Sequence, residues 1–351
     1  MEDLTKDAIS LLKRLIRTES FSRLEDKTAD IINEFFTEKN IPTFRKKNNV
    51  WAFNKFYDAS KPTILLNSHH DTVKPNPGYT RDPFSPDEED GKLYGLGSND
   101  AGGCLVSLIN TFVHFYSREN LTYNFCIATT AEEEISGLDG LELVYPDLGP
   151  IDFAIVGEPT LLDIAVAEKG LMVVDCTAKG KAGHAAREEG DNAIYKAIKD
   201  IEWIKDYRFD KVSPHLGNMK MSVTIINAGH QHNVVPETCT YTIDVRITEM
   251  YTNEEVLEVL KNNLISEVKP RSVRLRPSFM DINHPLVKAA IKFGAKPYGS
   301  PTTSDQALIP VPSVKMGPGD SGRSHTANEF IFINEIGQGI TRYIQILEEL
   351  V

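Results

Sequence analysis

The sequence predicts an α/β fold in which a sheet covered by helices on both faces is interrupted by an inserted ferredoxin-like unit. Three observations lead there. Strand-like and helix-like stretches alternate through the first half of the 351-residue chain, the pattern of a sheet with helices on both sides. From about Ala167 the rhythm changes to β-α-β-β-α-β, the order of the split βαβ unit. After residue 279 a helix and a buried strand resume, so the second unit lies inside the first. The expected domains are 1–166 with 280–351, and 167–279.

Each element has its own signal. Between Asp3 and Arg17, the residues Leu4, Ile9, Leu11, Leu12, Leu15 and Ile16 are interrupted by charge, which makes an amphipathic helix rather than the apolar segment of a signal peptide. A second helix is expected over Lys27 to Glu38, then strands over Asn49 to Lys55 and Thr63 to Asn67. The polar, Pro-rich stretch Lys74 to Lys92 reads as a loop of a length often kept for function. Gly102 to Tyr116 has helical spacing. The short apolar runs Asn124 to Thr130 and Ile151 to Val156 read as buried strands. In the inserted unit the strands are Gly170 to Ala178, Lys220 to Asn227, Thr238 to Thr248 and Arg271 to Phe279, and the helices are Asn192 to Tyr207 and Asn253 to Asn263. His284 to Gly294 then returns to helix, and Val311 to Met316 to buried strand.

Composition narrows the function classes. Thirty-eight basic residues stand against 50 acidic ones, a formal charge of -12 with no Lys/Arg-rich block, so neither nucleic acid nor an anionic membrane surface is an expected partner. No run approaches the roughly 20 apolar residues that span a bilayer. Cys104, Cys126, Cys176 and Cys239 are scattered, without CxxC spacing, and read as small buried hydrophobes of a reducing compartment. A cytoplasmic protein is expected.

Five clusters carry the chemistry: Ser68-His69-His70-Asp71, Asp100, Glu133-Glu134, Glu158 and His325. Each lies just past an expected strand or at a helix start, and in open α/β sheets ligands bind beyond the carboxyl ends of the strands. In His69-x-Asp71 an imidazole can bind metal while the carboxylate orients it; His70, on the alternate face, reads as structural. Asp100, among small residues before a helix, is an N-cap or a carboxylate bridging two cations. Glu132-Glu133-Glu134 has no nearby cation in sequence and repels itself unless solvated or facing cations. Glu158 ends a strand stopped by Pro159. His325 follows a flexible polar loop. In the inserted unit, His184 in a glycine-bearing loop can donate to a developing oxyanion, Asn233 precedes Val234-Val235-Pro236, and Arg246 suits a bidentate carboxylate. His230 and His232 mimic a metal pair but read as surface residues.

These residues, in this order, resemble the dinuclear zinc deacylase and exopeptidase family that includes acetylornithine deacetylase, succinyl-diaminopimelate desuccinylase, aminoacylase and bacterial glutamate carboxypeptidase. The specific parts are His69-His70-Asp71 with Val73, Gly97-Ser98-Asn99-Asp100, Glu133-Glu134, Gly157-Glu158-Pro159, Gly183-His184, Asn233-Val234-Val235-Pro236 and His325. The resemblance implies a mixed-sheet zinc-hydrolase catalytic domain with a lid and dimerisation domain inserted. It also implies two Zn2+ ions, with His69 and Glu158 on one, Glu134 and His325 on the other, and Asp100 between them. Carboxylate and imidazole ligands accept cobalt or manganese too. Glu133 becomes the general base, or Glu132 if the register slips by one; Asp71 orients His69, and His184 stabilises the oxyanion. Asn233, Arg246 and Thr303 become substrate-binding, and the partner of a homodimer can complete the site through the inserted domain.

The implied substrate is a small N-acyl amino acid. Where desuccinylases of the diaminopimelate pathway commonly read Thr-Ser-Asp-Gly-Arg, this chain has Thr303-Ser304-Asp305-Gln306-Ala307, without the anchoring arginine. Gly317-Pro318-Gly319-Asp320-Ser321 looks more like acyl-ornithine and acyl-lysine deacylases. The expectation is N-acetyl- or N-succinyl-L-ornithine, in arginine biosynthesis. Diaminopimelate desuccinylase, acyl-lysine deacylase and dipeptidase are the alternatives within the family. A dinuclear aminopeptidase would lack the inserted unit, and a non-catalytic amino-acid-binding protein would have lost ligands or the base.

Overall fold

A computed structural model describes residues 1–351, which fall into two compact units. The first comprises Met1–Val166, Phe279–Tyr298 and Ser304–Val351; the second comprises Ala167–Ser278 with the returning segment Gly299–Thr303.

The first unit is built on a mixed sheet in the order Phe44–Lys46, Asn49–Phe53, Asn124–Thr130, Thr63–His69, Phe153–Val156, Ser313–Lys315 and Ile164–Glu168. Thr63–His69 runs parallel to both of its neighbours, and Ser313–Lys315 runs parallel to Phe153–Val156. Asn49–Phe53 joins at one side antiparallel, and Ile164–Glu168 at the other. Every residue of Thr63–His69 and Asn124–Thr130 is buried, as strands covered on both faces must be. One face packs on the helices Glu2–Ile16, Asp26–Glu38, Gly103–Tyr116 and Ile333–Glu348, through residues such as Leu12, Phe36, Phe112 and Ile340. The other packs on Leu141, Val144 and Leu148. Parallel register matters most for the site. His69 pairs with Thr130 and Asn67 with Val156, so three strands end at one edge and deliver residues 69–71, 132–134 and 158 there.

The second unit has the strand order Lys220–Ala228, Thr238–Ile247, Gly170–Lys179, Glu267–Pro270, all antiparallel, with helices Ala193–Asp206 and Asn253–Asn263. Met172, Val174, Cys176 and Ala178 alternate inward against Ala197, Ile204, Val256 and Leu260. Asn192 caps the first helix, accepting from the Ile194 N–H, and a Thr252–Glu255 capping box starts the second.

The structure corrects three sequence-based expectations. The last strand of the second unit is Glu267–Pro270, and of the expected 271–279 only Ser278–Phe279 is strand. Beyond Glu267–Pro270 only scattered bonds to the neighbouring strand remain, Arg271 N–H to the Val173 carbonyl and Leu171 N–H to the Leu275 carbonyl, and the Asn253 amide donates to the carbonyls of Val273 and Leu275. The loop 74–92 ends in a three-stranded sheet in which Glu88–Glu89 and Phe330–Phe332 flank Lys92–Tyr94, because Leu93 is an inward, fully buried residue. Asp100 does not cap the following helix. That helix begins at Gly103 without a side-chain cap, and Asp100 sits in a non-helical turn before it.

Candidate metal centre

His69 closes the strand Thr63–His69 and is 1% exposed. Its Nδ1 lies 3.0 Å from the Asp71 main-chain carbonyl and 3.3 Å from Asp71 Oδ1. The carbonyl is therefore the nearer partner. It fixes Nδ1 as a donor, so that Nε2 is the nitrogen left to offer a lone pair once its own proton, which the surrounding acids hold in place against burial, has left. Nε2 has no hydrogen-bond partner although it is buried. Around it stand Asp100 Oδ1 at 3.4 Å, Glu158 Oε1 at 3.7 Å and Glu133 Oε2 at 3.9 Å.

The Asp71 carboxylate is buried and does more than face the imidazole. It accepts from the Ser22 hydroxyl at 2.7 Å and from the backbone N–H groups of Glu133 at 3.1 Å and Glu134 at 3.2 Å. One carboxylate thus ties the end of one strand to the turn after the next. In that turn Glu132 has φ +57°, and its side chain leaves the cluster, accepting from the Asp139 N–H and approaching Arg23. Glu133 and Glu134 turn the other way. Glu134 Oε2 lies 3.0 Å from His325 Nε2, and Asp100 Oδ2 lies 3.6 Å from the same nitrogen. The two Asp100 oxygens therefore face different imidazoles.

Gly97 permits the turn that carries Asp100: its φ is +73°, and a Cβ there would sit 2.5 Å from the Thr72 methyl. The Asp100–Ala101 peptide is cis. Glu329, 2% exposed, fills the turn from behind, one oxygen accepting from the N–H groups of Asn99 (2.8 Å) and Asp100 (2.9 Å), the other from Gly97 (3.2 Å). Sequence reading misses Glu329, since an acid ahead of Phe330-Ile331-Phe332 carries no mark of burial. It also misses Glu25, fully buried, which accepts from the N–H groups of Arg23 and Glu132 and from the Asn48 amide. His70 does not join the cluster: its ring nitrogens meet the Thr28 hydroxyl and the Asn48 carbonyl.

The electrostatics follow from crowding acids in a buried place. Burial, aided by Glu158, Asp305 and Glu134 and opposed by His69, holds the Glu133 carboxyl well above its ordinary value. Burial likewise raises Glu158 to about 8. The hydrogen bond to Glu134 raises His325 to about 9. A buried, unpartnered imidazole nitrogen facing carboxylate oxygens is a donor set of hard oxygen and nitrogen atoms suited to divalent cations. The candidate donor atoms of His69, Asp100 and Glu134 lie within 4.8 Å of one another, as do those of His69, Glu133 and Glu158.

The remaining expected site residues lie in the second unit. His184 is on the short strand Gly183–His184, paired with Val234–Val235; its Nδ1 accepts from the Ala186 N–H, and the Asn233 carbonyl accepts from Ala185. Arg246 Nη1 reaches the Thr303 hydroxyl at 3.4 Å. His230 and His232 are exposed. All four cysteines are buried and free, and no helix is long and apolar enough to cross a membrane.

Comparison with known proteins agrees with this reading of fold and chemistry. A LysW-lysine/LysW-ornithine hydrolase of Sulfurisphaera tokodaii is 29% identical over 97% of this chain and 94% of its own. Acetylornithine deacetylase of Proteus mirabilis is 29% identical over 92% and 91%, and succinyl-diaminopimelate desuccinylase of Rickettsia bellii 27% over 72% and 70%. Among solved structures, an M20 family metallo-carboxypeptidase of Sulfolobus solfataricus superposes with TM-score 0.76 at 20% identity, covering 98% of both chains. A dinuclear metal binding peptidase of the M20 family from Bacillus subtilis superposes with TM-score 0.75 at 18% identity, covering 99% and 98%. The profile of Peptidase family M20/M25/M40 matches residues 65–349, and the chain is a metal-dependent hydrolase belonging to that family.

Proposed function

We propose that this protein hydrolyses the amide bond of an N-acyl-L-amino acid at a two-cation centre, and that the amino acid is ornithine. The observation that carries the two-cation reading is Asp100, whose oxygens face His69 at 3.4 Å and His325 at 3.6 Å. His69 and Glu158 would hold one cation, Glu134 and His325 the other, with Asp100 bridging. Zinc is the proposed metal, with cobalt or manganese as substitutes. Such a pair lowers the pKa of a bound water and polarises a carbonyl.

The chain's own groups do the rest. Glu133, its oxygen turned toward the cluster, would be ionised when cations are bound, take the proton of the attacking water and pass it to the leaving amine. Asp71 keeps His69 and the Glu133–Glu134 turn in one frame. His184 donates to the carbonyl oxygen as it gains charge; Asn233, Arg246 and Thr303 bind substrate, Arg246 taking its carboxylate. Of the three relatives described, one is named for ornithine and one for lysine and ornithine alike, which supports ornithine or lysine over diaminopimelate. The second unit is the proposed lid and homodimer contact. Its edge strand Lys220–Ala228 exposes Ile225 and Ile226 by half, and the neighbouring helix exposes Tyr195 and Ile198, a surface suited to strand addition by a second copy. A cytoplasmic location accords with the free cysteines.

The deciding experiment is a panel of N-acetyl- and N-succinyl-ornithine, -lysine and -diaminopimelate with dipeptides, on cation-loaded and chelated protein. Turnover of acyl-ornithines above the rest is expected; dipeptides or diaminopimelate compounds turning over faster would replace the reading.

A further inference from the structure

In the second unit Lys169, Lys220 and Arg246 form a cluster of cations in which only one has a counter-charge. Arg246 is gripped by Asp244, Nε to Oδ1 at 2.9 Å and Nη2 to Oδ2 at 3.1 Å, which leaves Nη1 turned to Thr303. Lys220 stands directly opposite Arg246 across the two antiparallel strands and makes no ion pair. The Lys169 ammonium meets only the Asn218 carbonyl, at 3.0 Å, while its main-chain carbonyl accepts from the Thr303 hydroxyl at 3.1 Å. Partial burial, then the nearby Lys220 and Arg246, push the Lys169 ammonium below its ordinary value. Asp244 thus leaves two positive charges unbalanced, in a chain whose net charge is -12. Like charges brought together while losing water are unfavourable without an anion between them.

We propose that Lys169 and Lys220, beside the Arg246–Thr303 pair, form a subsite for a second carboxylate, so that the preferred substrate carries a free carboxylate on its acyl group. This rests on the proposed reading of Arg246 as the group that takes the amino acid's own carboxylate. With Asp244 on one edge, the guanidinium has a single free edge, enough for one carboxylate. Two ammonium groups add point charges that impose little orientation, so acyl chains of slightly different length fit. Succinyl and glutaryl groups meet this description. Acetyl does not.

The test compares kcat/KM for N-succinyl- and N-glutaryl-L-ornithine with N-butanoyl-L-ornithine, which matches succinyl in length without its charge. The wild type is expected to favour the charged acyl groups by at least about tenfold, and Lys169→Met/Lys220→Met to bring that ratio to within about threefold. A wild-type ratio near one, or a ratio unchanged in the variant, overturns the subsite. Failure of the Arg246 reading looks different: Arg246→Met would then leave kcat/KM for every acyl-ornithine unaltered. Calorimetric titration of glutarate and butanoate gives an answer without turnover. Glutarate is expected to bind the wild type more tightly than butanoate and to lose that advantage in the variant; equal binding overturns the proposal. If the double variant melts early, the single Lys220→Met, at an exposed position, takes its place in both measurements.

Discussion

Replacing Glu329 by glutamine tests whether the turn carrying Asp100 is held from behind. The carboxylate accepts three backbone N–H bonds, two at one oxygen and one at the other, at a position 2% exposed. Glutamine keeps one carbonyl oxygen and turns an NH2 toward the remaining donor. A buried N–H deprived of its acceptor costs about 1–3 kcal/mol, or about a five- to 150-fold change in the equilibrium that absorbs it. If the turn keeps its shape, the cost appears as lost global stability. If it relaxes, Asp100 shifts and the cost appears as weaker cation binding. Because burial and then the Asp100 charge raise Glu329 to about 8, thermal melts of chelated protein and competition titrations against a chelator are run above about pH 9, where the group is a carboxylate; they measure the two separately, and together they should recover at least about 1 kcal/mol. Glu329→Gln matching the wild type in both would refute the reasoning. Glu329→Ala should cost more, since it orphans all three donors.

Three other outcomes are expected. Glu133→Gln should lower kcat by about 10²–10⁴-fold with cation content unchanged, whereas Glu132→Gln, its carboxylate turned to Asp139 and Arg23, should lower it far less; the reverse order would move the base by one residue. Dialysis against a chelator should abolish turnover, and zinc, cobalt or manganese should restore it; activity surviving at sub-stoichiometric metal would exclude a cation role. Burial holds His70 down at about 4, below the ordinary value of about 6.5, so the unfolded chain binds the proton first and stability falls as pH drops from about 6.5 to about 4, by about 3 kcal/mol in all. His70→Gln should flatten that part of the stability profile measured by urea unfolding, and an unchanged profile would assign the loss to other groups.

The parts of the site legible in sequence are those whose signal is a strand end. Thr63 to Asn67, Asn124 to Thr130 and Ile151 to Val156 are apolar runs too short for helices, and the residues after them fall at one sheet edge because the strands are parallel. Sequence cannot show which neighbours hold those residues still. Asp71 joins Ser22, Glu133 and Glu134 through contacts 49 to 63 residues apart, and Glu329 reaches Gly97, Asn99 and Asp100 across about 230. No periodicity encodes such contacts. The shortened strand at 271–279 has the same origin: Arg271-Ser272-Val273-Arg274-Leu275 alternates like a strand, but it keeps only isolated bonds to Gly170–Lys179 and turns its Val273 and Leu275 carbonyls to a distant amide, Asn253.

The same crowding of acids determines how cation binding must respond to pH. In chelated protein, burial raises Glu158 to about 8 and, with the neighbouring carboxylates, raises Glu133 as well, while the Glu134 hydrogen bond raises His325 to about 9. Near neutral pH the cluster therefore relieves its own repulsion with protons. A cation needs carboxylate oxygens and a neutral imidazole, so protons must leave as it enters. Affinity should rise by at least about tenfold for each unit of pH between about 6 and 8 and flatten only once Glu158, His325 and the more strongly raised Glu133 and His69 have lost theirs. Four carboxylates, Asp100, Glu133, Glu134 and Glu158, also match the charge of two divalent ions and not of one, so the titration should reach an end point of two per chain. Competition titrations across that range measure both quantities. A flat pH dependence would mean that the acids are ionised before the cation arrives, and an end point of one would leave Asp100 without a second cation to bridge.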